Sequence, residues 1–513
     1  MKKLAFIILL APLFLSAQKK PKLIVGIVVD QMRYEMLDRF SSDFGADGFN
    51  LLSKDGMRYD SCTFNYVPTY TGPGHATIYS GANPSMHGIL SNDIYLPQEQ
   101  RSMYCVEDKS VHPVGAAADG EGHSPKNLRI YNFGDSLKIK DPECKVFTVA
   151  IKDRSAILNG GKKADAAYWM AKNGAFVTSS YYMEALPEWV VGFNNNDYAF
   201  SYLNSSWPLF KSPESYTSSL PDNAPFEGTR LGDRPVFPYD LKTLLQKEGN
   251  DGVAFTPFGN TMLTDFAIQA IHEENLGADK HTDILAINYS STDYIGHDFG
   301  PQSVEVQDAY LRLDKEIARL IAKLDKEIGR DNYVFFLTSD HGAANTPSDT
   351  NFTYVSNSEL RETINAFTRA QYGQDLVAHI GSNQVWLNDE LIYELNIDKE
   401  MILMELRSYL ATQTKTPLAQ VFTQFEIENC GMPECRYFQN AFDHNLSGDL
   451  FYVRPYGQIE RGGNSGTTHG TQYLYDTHVP LLLFGGNVTH GKSKETVHPN
   501  EIISILKPYL KGN

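Results

Sequence analysis

Several carboxylates and imidazoles fall where apolar runs of this chain end. Asp30 closes the run Leu23–Val29, Asp293 and His297 follow 283–290, Asp340 and His341 follow Tyr333–Thr338, and His469 lies shortly before 479–484. Any one of them has a plain explanation, a helix cap for an Asp or a hydrogen-bonded core group for a His. Gathered at one place they would repel one another or stay unsatisfied without a strong cation. The mixed oxygen and nitrogen donors of Asp293-x-x-x-His297 and Asp340-His341 suit Zn²⁺. Six ligands and a hydroxyl imply two ions.

The hydroxyl is that of Thr71, in Thr71-Gly72-Pro73-Gly74-His75. A helix opening here would point free N–H groups at an anion in front of it, Pro73 needs no N–H in a first turn, and Gly72 and Gly74 would let the backbone approach a ligand closely. Thr71 is therefore the candidate nucleophile, with a simple N-cap as the alternative.

The elements that must deliver these groups read as buried parallel strands, which appear in sequence as continuous β-branched and apolar runs. They are Leu23–Val29, 145–151, 283–290, Tyr333–Thr338 and 479–484. Helical spacing covers 303–328, through Tyr310, Leu313, Ile317, Leu320, Ile321 and Leu324, and 31–40 also looks helical. Strand, polar cluster and helix alternate, so the chain reads as α/β, and clusters that close neighbouring strands converge on one site at their carboxyl ends. Two stretches of different texture, 160–255 and 350–445, dense in Tyr, Asn, Ser, Pro and Trp, are read as insertions forming a cap.

A hydrophobic content of 42% over 513 residues is enough for one large packed domain with insertions, or for two domains, and disorder is not indicated. Residues 1–17, with Lys2 and Lys3 before an apolar run and Ser16-Ala17 at its end, read as a signal peptide, and no later stretch is long and apolar enough to span a bilayer. A periplasmic or secreted protein is expected. The net charge of -17 disfavours nucleic acid and acidic membranes as partners, so any phosphate must be gripped locally. Five cysteines fit one or two disulfides and an odd thiol. Cys430 and Cys435, joined by a short Gly/Pro loop, are the expected pair.

Thr71 in its Gly-Pro-Gly-His setting, Asp293-Tyr-Ile-Gly-His297, Asp340-His341-Gly342 and the late His469-Gly470 resemble the alkaline phosphatase superfamily, and within it the nucleotide pyrophosphatase/phosphodiesterase-like branch. Asn92 and the strand-end Lys152-Asp-Arg154 are similar to the PafA-type secreted alkaline phosphatases of Bacteroidetes. The resemblance implies an alkaline-phosphatase-like catalytic domain over 22–513, with a central mixed, mostly parallel sheet flanked by helices and interrupted by the cap segments. It implies one zinc on Asp293, His297 and His469, and a second on Asp30, Asp340 and His341 together with the Thr71 oxygen. His75, His87, His444 and His478 match no ligand position. It further implies a monomer acting on small phosphate monoesters through a phospho-threonine: Thr71 attacks phosphorus in line, and water releases phosphate. The N–H groups after Thr71 and the Asn92 amide would hold non-bridging oxygens, and Lys152 and Arg154 would reward the extra charged oxygen of a monoester.

Other readings are open. Lys152 and Arg154 could form a solvated surface pair with Asp153. Phosphodiesters are the second substrate class. Sulfatases of this fold use a modified Cys or Ser in a Cys/Ser-x-Pro-x-Arg context, which Thr71 lacks. A secreted binding protein that had lost turnover would usually have lost a ligand, and here the set is complete.

Overall fold

The structure, a computed structural model, describes residues 19–115 and 120–511. The signal-peptide expectation for 1–17 lies outside the described residues. Ten strands build the main sheet: β1 (Leu23–Val29), β2 (Met57–Thr63), β3 (Pro113–Val114), β4 (Val146–Ala150), β5 (Ala166–Met170), β6 (Phe176–Ser179), β7 (Asp283–Tyr289), β8 (Tyr333–Thr338), β9 (His478–Phe484) and β10 (Gly491–Val497). Their spatial order is β10-β2-β9-β8-β1-β7-β4-β5-β6-β3. The middle five, β8-β1-β7-β4-β5, are all parallel, while β9 runs antiparallel to both of its neighbours. The sheet is the mixed, mostly parallel one expected.

β1 sits at the centre and is buried along its whole length. Leu23, Val25, Ile27 and Val29 belong to a core on one face, together with the helices α3 (Pro257–Glu273) and α5 (Val304–Glu327). Ile24 and Val28 pack on the other face with Ile78 and Tyr79 of the helix α1 (Thr71–Ser80). Tyr79 pins that helix to the sheet by donating its hydroxyl to the Gly26 carbonyl at 3.2 Å. α5 keeps the expected bounds because the Ser303 hydroxyl accepts the Val306 N–H, and the six apolar residues read from its spacing are all buried.

The helix expected over 31–40 is a correction: only Met36–Arg39 is helical. Gln31 stands at φ 64°, and the Gln31 and Met32 N–H groups donate to Asp340 Oδ1 and Ser339 Oγ at the end of β8. Those donors would have opened a helix, so the chain turns first. Within 160–255, β5 and β6 are strands of the main sheet itself. Much of 350–445, continued by Leu450–Val453, makes a separate four-stranded sheet with Asn357–Tyr372 and Lys399–Thr412 packed around Leu360, Ile364, Leu406 and Tyr452. Cys430 and Cys435 are bridged, while Cys62, Cys105 and Cys144 are buried free thiols.

Candidate active site

Four adjacent parallel strands carry the site. β4, β7, β1 and β8 end side by side, with Val29 opposite Tyr289 and Val28 opposite both Asn288 and Thr338. Just beyond those ends stand Lys152, Asp293, Asp30, and Asp340 with His341. Asp293 lies in the first turn of helix α4 (Ser291–Phe299), which brings His297 onto the same face one turn later. Thr71 opens α1, and His469 arrives on the loop before β9.

The imidazoles are oriented from behind. His297 Nδ1 lies 2.8 Å from the Thr467 carbonyl, His469 Nδ1 2.7 Å from the Thr69 carbonyl and His341 Nδ1 3.0 Å from the Gly342 carbonyl. A carbonyl can only accept, so Nδ1 carries the proton in each ring and Nε2 is turned inward; against the effect of burial, the Asp293 carboxylate 3.1 Å from its Nε2 raises the pKa of His297. Burial holds His341 down at about 3 and His469 well below its ordinary range, so both stay neutral.

Those inward nitrogens meet carboxylates. Asp293, His297 and His469 offer ligand atoms that all lie within 4.8 Å of one another. His341 Nε2 is 3.5 Å from Asp30 Oδ1, 3.4 Å from Asp340 Oδ2 and 3.4 Å from Thr71 Oγ1. Asp30 Oδ1 and Asp340 Oδ2 are buried without any hydrogen-bond partner. Burial first, and then the charge of Asp340, push the Asp30 carboxyl well above its usual range, while burial lifts Asp340 to about 7. Unpartnered carboxylate oxygens beside an inward lone pair are a donor set that calls for a cation, so these residues fit the metal ions that the sequence implies. His75, matched to no ligand position, presents a buried and unpartnered Nε2 to Asp340 Oδ2 at 3.5 Å, and its Nδ1 is held by Asn159.

Lys152 is not on the surface. Its side chain is 3% exposed, and Nζ donates to Asp30 Oδ2 at 2.8 Å and to Asp293 Oδ2 at 2.6 Å, between the two ligand sets. Arg154 puts Nη2 3.5 Å from Thr71 Oγ1. The solvated-pair alternative fails for both. Asn92 Oδ1 accepts the Gly72 N–H at 2.7 Å, which leaves its amide N–H₂ free to donate.

This changes the reading of the Thr71 loop. The Gly72 N–H is taken by Asn92, Pro73 has none, and the Gly74 N–H goes to the Tyr70 carbonyl, so the first backbone donors after Thr71 do not face a ligand. The glycines make room for protein instead. A Cβ on Gly72 would lie 3.1 Å from Asn92 Oδ1 and from Cys105 Sγ, and one on Gly74 would overlap the Asp340 carbonyl oxygen and lie 2.8 Å from the Asp340 Cβ. Gly74→Ala is expected to cost about 1–3 kcal/mol of stability, because backbone and not a flexible side-chain end must move, and to shift Asp340. Thermal unfolding and bound-metal content check it; an unchanged Tm with full metal content would contradict it.

Sequence reading missed Gln31, whose amide donates to Asp293 Oδ1 at 2.7 Å, and two side chains near Arg154, Tyr104 and His123; Asp153 was named only as a surface partner. Gln31 follows Asp30 directly and could have been suspected; Tyr104 and His123 come from segments with no local signal.

The chain matches the type I phosphodiesterase / nucleotide pyrophosphatase family over residues 24–458. A Myroides odoratus protein named as a calcium-transporting ATPase is 37% identical over 507 residues, covering 96% of this chain and 92% of that one. Alkaline phosphatase PafA of Elizabethkingia meningoseptica is 36% identical over 515 residues, covering 97% of this chain and 92% of PafA. The crystal structure of wild-type PafA matches with a TM-score of 0.92 at 34% identity, covering 97% of each chain. The strand-end cluster described above lies on a chain that belongs to the type I phosphodiesterase / nucleotide pyrophosphatase family.

Proposed function

We propose that this protein is a two-zinc phosphate monoesterase, an alkaline phosphatase that releases an alcohol and then inorganic phosphate by way of a phospho-threonine at Thr71. The observation that carries the reading is the setting of Thr71 Oγ1, 3.4 Å from the inward Nε2 of His341 and 3.5 Å from Arg154 Nη2. Asp293, His297 and His469 would hold one ion and Asp30, Asp340 and His341 the other, supplying Lewis acidity at the attacking and leaving oxygens. Arg154 and the free amide of Asn92 grip non-bridging oxygens beside Thr71. Lys152, whose ammonium stands between the two ligand sets, is placed to meet a phosphoryl group lying between them.

The relative named an alkaline phosphatase supports this reading, and the other is named a calcium-transporting ATPase. Among the described residues no helix is long and apolar enough to cross a membrane. With the leader read from residues 1–17 and the net charge of -17, the proposal is a periplasmic or secreted monomer acting on small phosphate esters. Its catalytic domain is 22–513, with 350–445 and the part of 160–255 outside β5 and β6 contributing the cap over the leaving group.

Monoesters rank above diesters because a dianion rewards a cation that a diester cannot use. Arg154→Ala is expected to lower kcat/KM for an aryl phosphate by about 30- to 1000-fold, equivalent to roughly 2 to 4 kcal/mol, and to lower it only weakly for the methyl aryl diester. Lys152→Ala should lower both, the monoester more, since it also leaves Asp30 and Asp293 without their shared cation. Paired rate measurements on the two substrates decide. A wild-type enzyme faster on the diester would turn the assignment to a phosphodiesterase.

A further inference from the structure

The guanidinium of Arg154 has few anchors. Its Nε is buried without a partner, and Nη2 reaches only Thr71 Oγ1 at 3.5 Å. Nη1 donates to the Tyr104 hydroxyl at 3.2 Å. That hydroxyl donates in turn to Asp153 Oδ1 at 2.6 Å, and Asp153 Oδ2 lies 2.8 Å from His123 Nδ1. The rings of Tyr104 and His123 meet edge to face with centroids 5.4 Å apart. Asp153 Oδ1 also accepts the Arg154 backbone N–H at 2.6 Å, so one carboxylate fixes the residue at both its backbone and its tip.

The four residues come from three places: the strand Arg101–Tyr104, the segment at His123, and the first turn of helix α2 (Asp153–Gly160). An acid in a helix's first turn is a common cap, but here the carboxylate turns aside to serve a Tyr and a His. Asp153 and His123 are each 17% exposed, dry enough for their charge-assisted bond to be firm. Burial opposes ionisation of Asp153, yet His123 and then Arg154 hold its carboxyl below the ordinary range, so it remains an acceptor.

We propose that Tyr104, Asp153 and His123 are positioning residues for Arg154, holding its guanidinium against the phosphoryl group and so setting the preference for monoesters. A long Arg side chain with a free Nε loses rotamer freedom each time it meets substrate; a chain of hydrogen bonds that fixes it beforehand removes that cost from the reaction. The inference rests on the reading of Arg154 as a substrate contact.

The test is a set of double-mutant cycles read on two substrates. Tyr104→Phe keeps the ring and removes only the hydroxyl. It is expected to lower kcat/KM for an aryl phosphate about 10-fold, to weaken competitive inhibition by inorganic phosphate similarly, and to change methyl aryl diester hydrolysis by no more than about twofold. In an Arg154→Ala background the same change should have almost no effect on the monoester. His123→Gln, which can still donate to Asp153, should retain more monoester activity than His123→Ala. Equal losses from Tyr104→Phe with and without Arg154, or equal losses on both substrates, would overturn the positioning role while leaving Arg154 a substrate contact. An unchanged monoester-to-diester ratio in Arg154→Ala alone would overturn that contact, and the positioning role with it.

Discussion

Thr71→Ala is expected to lower kcat/KM on an aryl phosphate by roughly 10³-fold or more, about 4 kcal/mol of transition-state stabilisation, while the protein stays folded. The loss is large because the substitution removes the proposed nucleophilic oxygen itself. The 3.4 Å to His341 Nε2 and 3.5 Å to Arg154 Nη2 put the Thr71 oxygen between the guanidinium and a ring that would hold an ion in the proposed reading. The fold should survive because both contacts are long and because the helix does not depend on the Thr71 side chain: Tyr70 is the N-cap and makes no side-chain cap bond. Thr71→Ser keeps the oxygen and should retain substantial activity. Rapid quenching followed by mass mapping should place phosphate on Thr71 in the wild type. Phosphate trapped on another residue, or full activity in Thr71→Ala, would remove it as nucleophile.

What sequence made legible follows burial only in part, since β5 and β6 are buried strands that were read as part of the 160–255 insertion. β1, β4, β7, β8 and β9 are buried, so their apolar runs announce them. β2, Met-Arg-Tyr-Asp-Ser-Cys-Thr, and β10, Gly-Lys-Ser-Lys-Glu-Thr-Val, carry polar side chains on partly exposed ground near one edge of the sheet, where charge guards against unwanted pairing, and they read as loop. Most of the Asp/His set was legible because Asp30, Asp340 and His341 directly follow strands and Asp293 and His297 occupy the helix that follows one; His469 lies on a loop ahead of β9. Lys152-Asp153-Arg154 shows the limit. Three consecutive charges look like a solvated surface, and only tertiary packing reveals the partners of each: two carboxylates for Lys152, Tyr104 and His123 for Asp153, and Tyr104 with Thr71 for Arg154. The helix mistakenly read over 31–40 has the same origin, since the N–H groups of Gln31 and Met32 go to β8, more than 300 positions away in the chain.

Removing bound metal is expected to take hydrolysis to background, and added Zn²⁺ to restore it, with elemental analysis of the active protein giving two zinc ions per chain. Two features of the cluster argue for a cation there. Asp30 Oδ1 and Asp340 Oδ2 are buried with no donor, and leaving such groups unpaired costs at least about 1–3 kcal/mol each. Lys152 satisfies only the other oxygen of Asp30 and one of Asp293, so a single ammonium does not balance three buried carboxylates. The imidazoles of His297, His341 and His469, each with Nδ1 on a carbonyl and Nε2 turned inward, are nitrogen donors that favour zinc over magnesium, and Mg²⁺ alone should be a poor substitute. Because the ions would bind the folded chain and not the unfolded one, saturation about a thousandfold above Kd should add roughly 4 kcal/mol of stability for each ion, visible as a fall in Tm on chelation. His469→Ala and Asp340→Asn should each lose about one zinc per chain, since they fall in different ligand sets. Full activity in protein shown to be metal-free would end the two-zinc proposal, and full activity with one ion per chain would leave a single-metal enzyme, with the second ligand set structural.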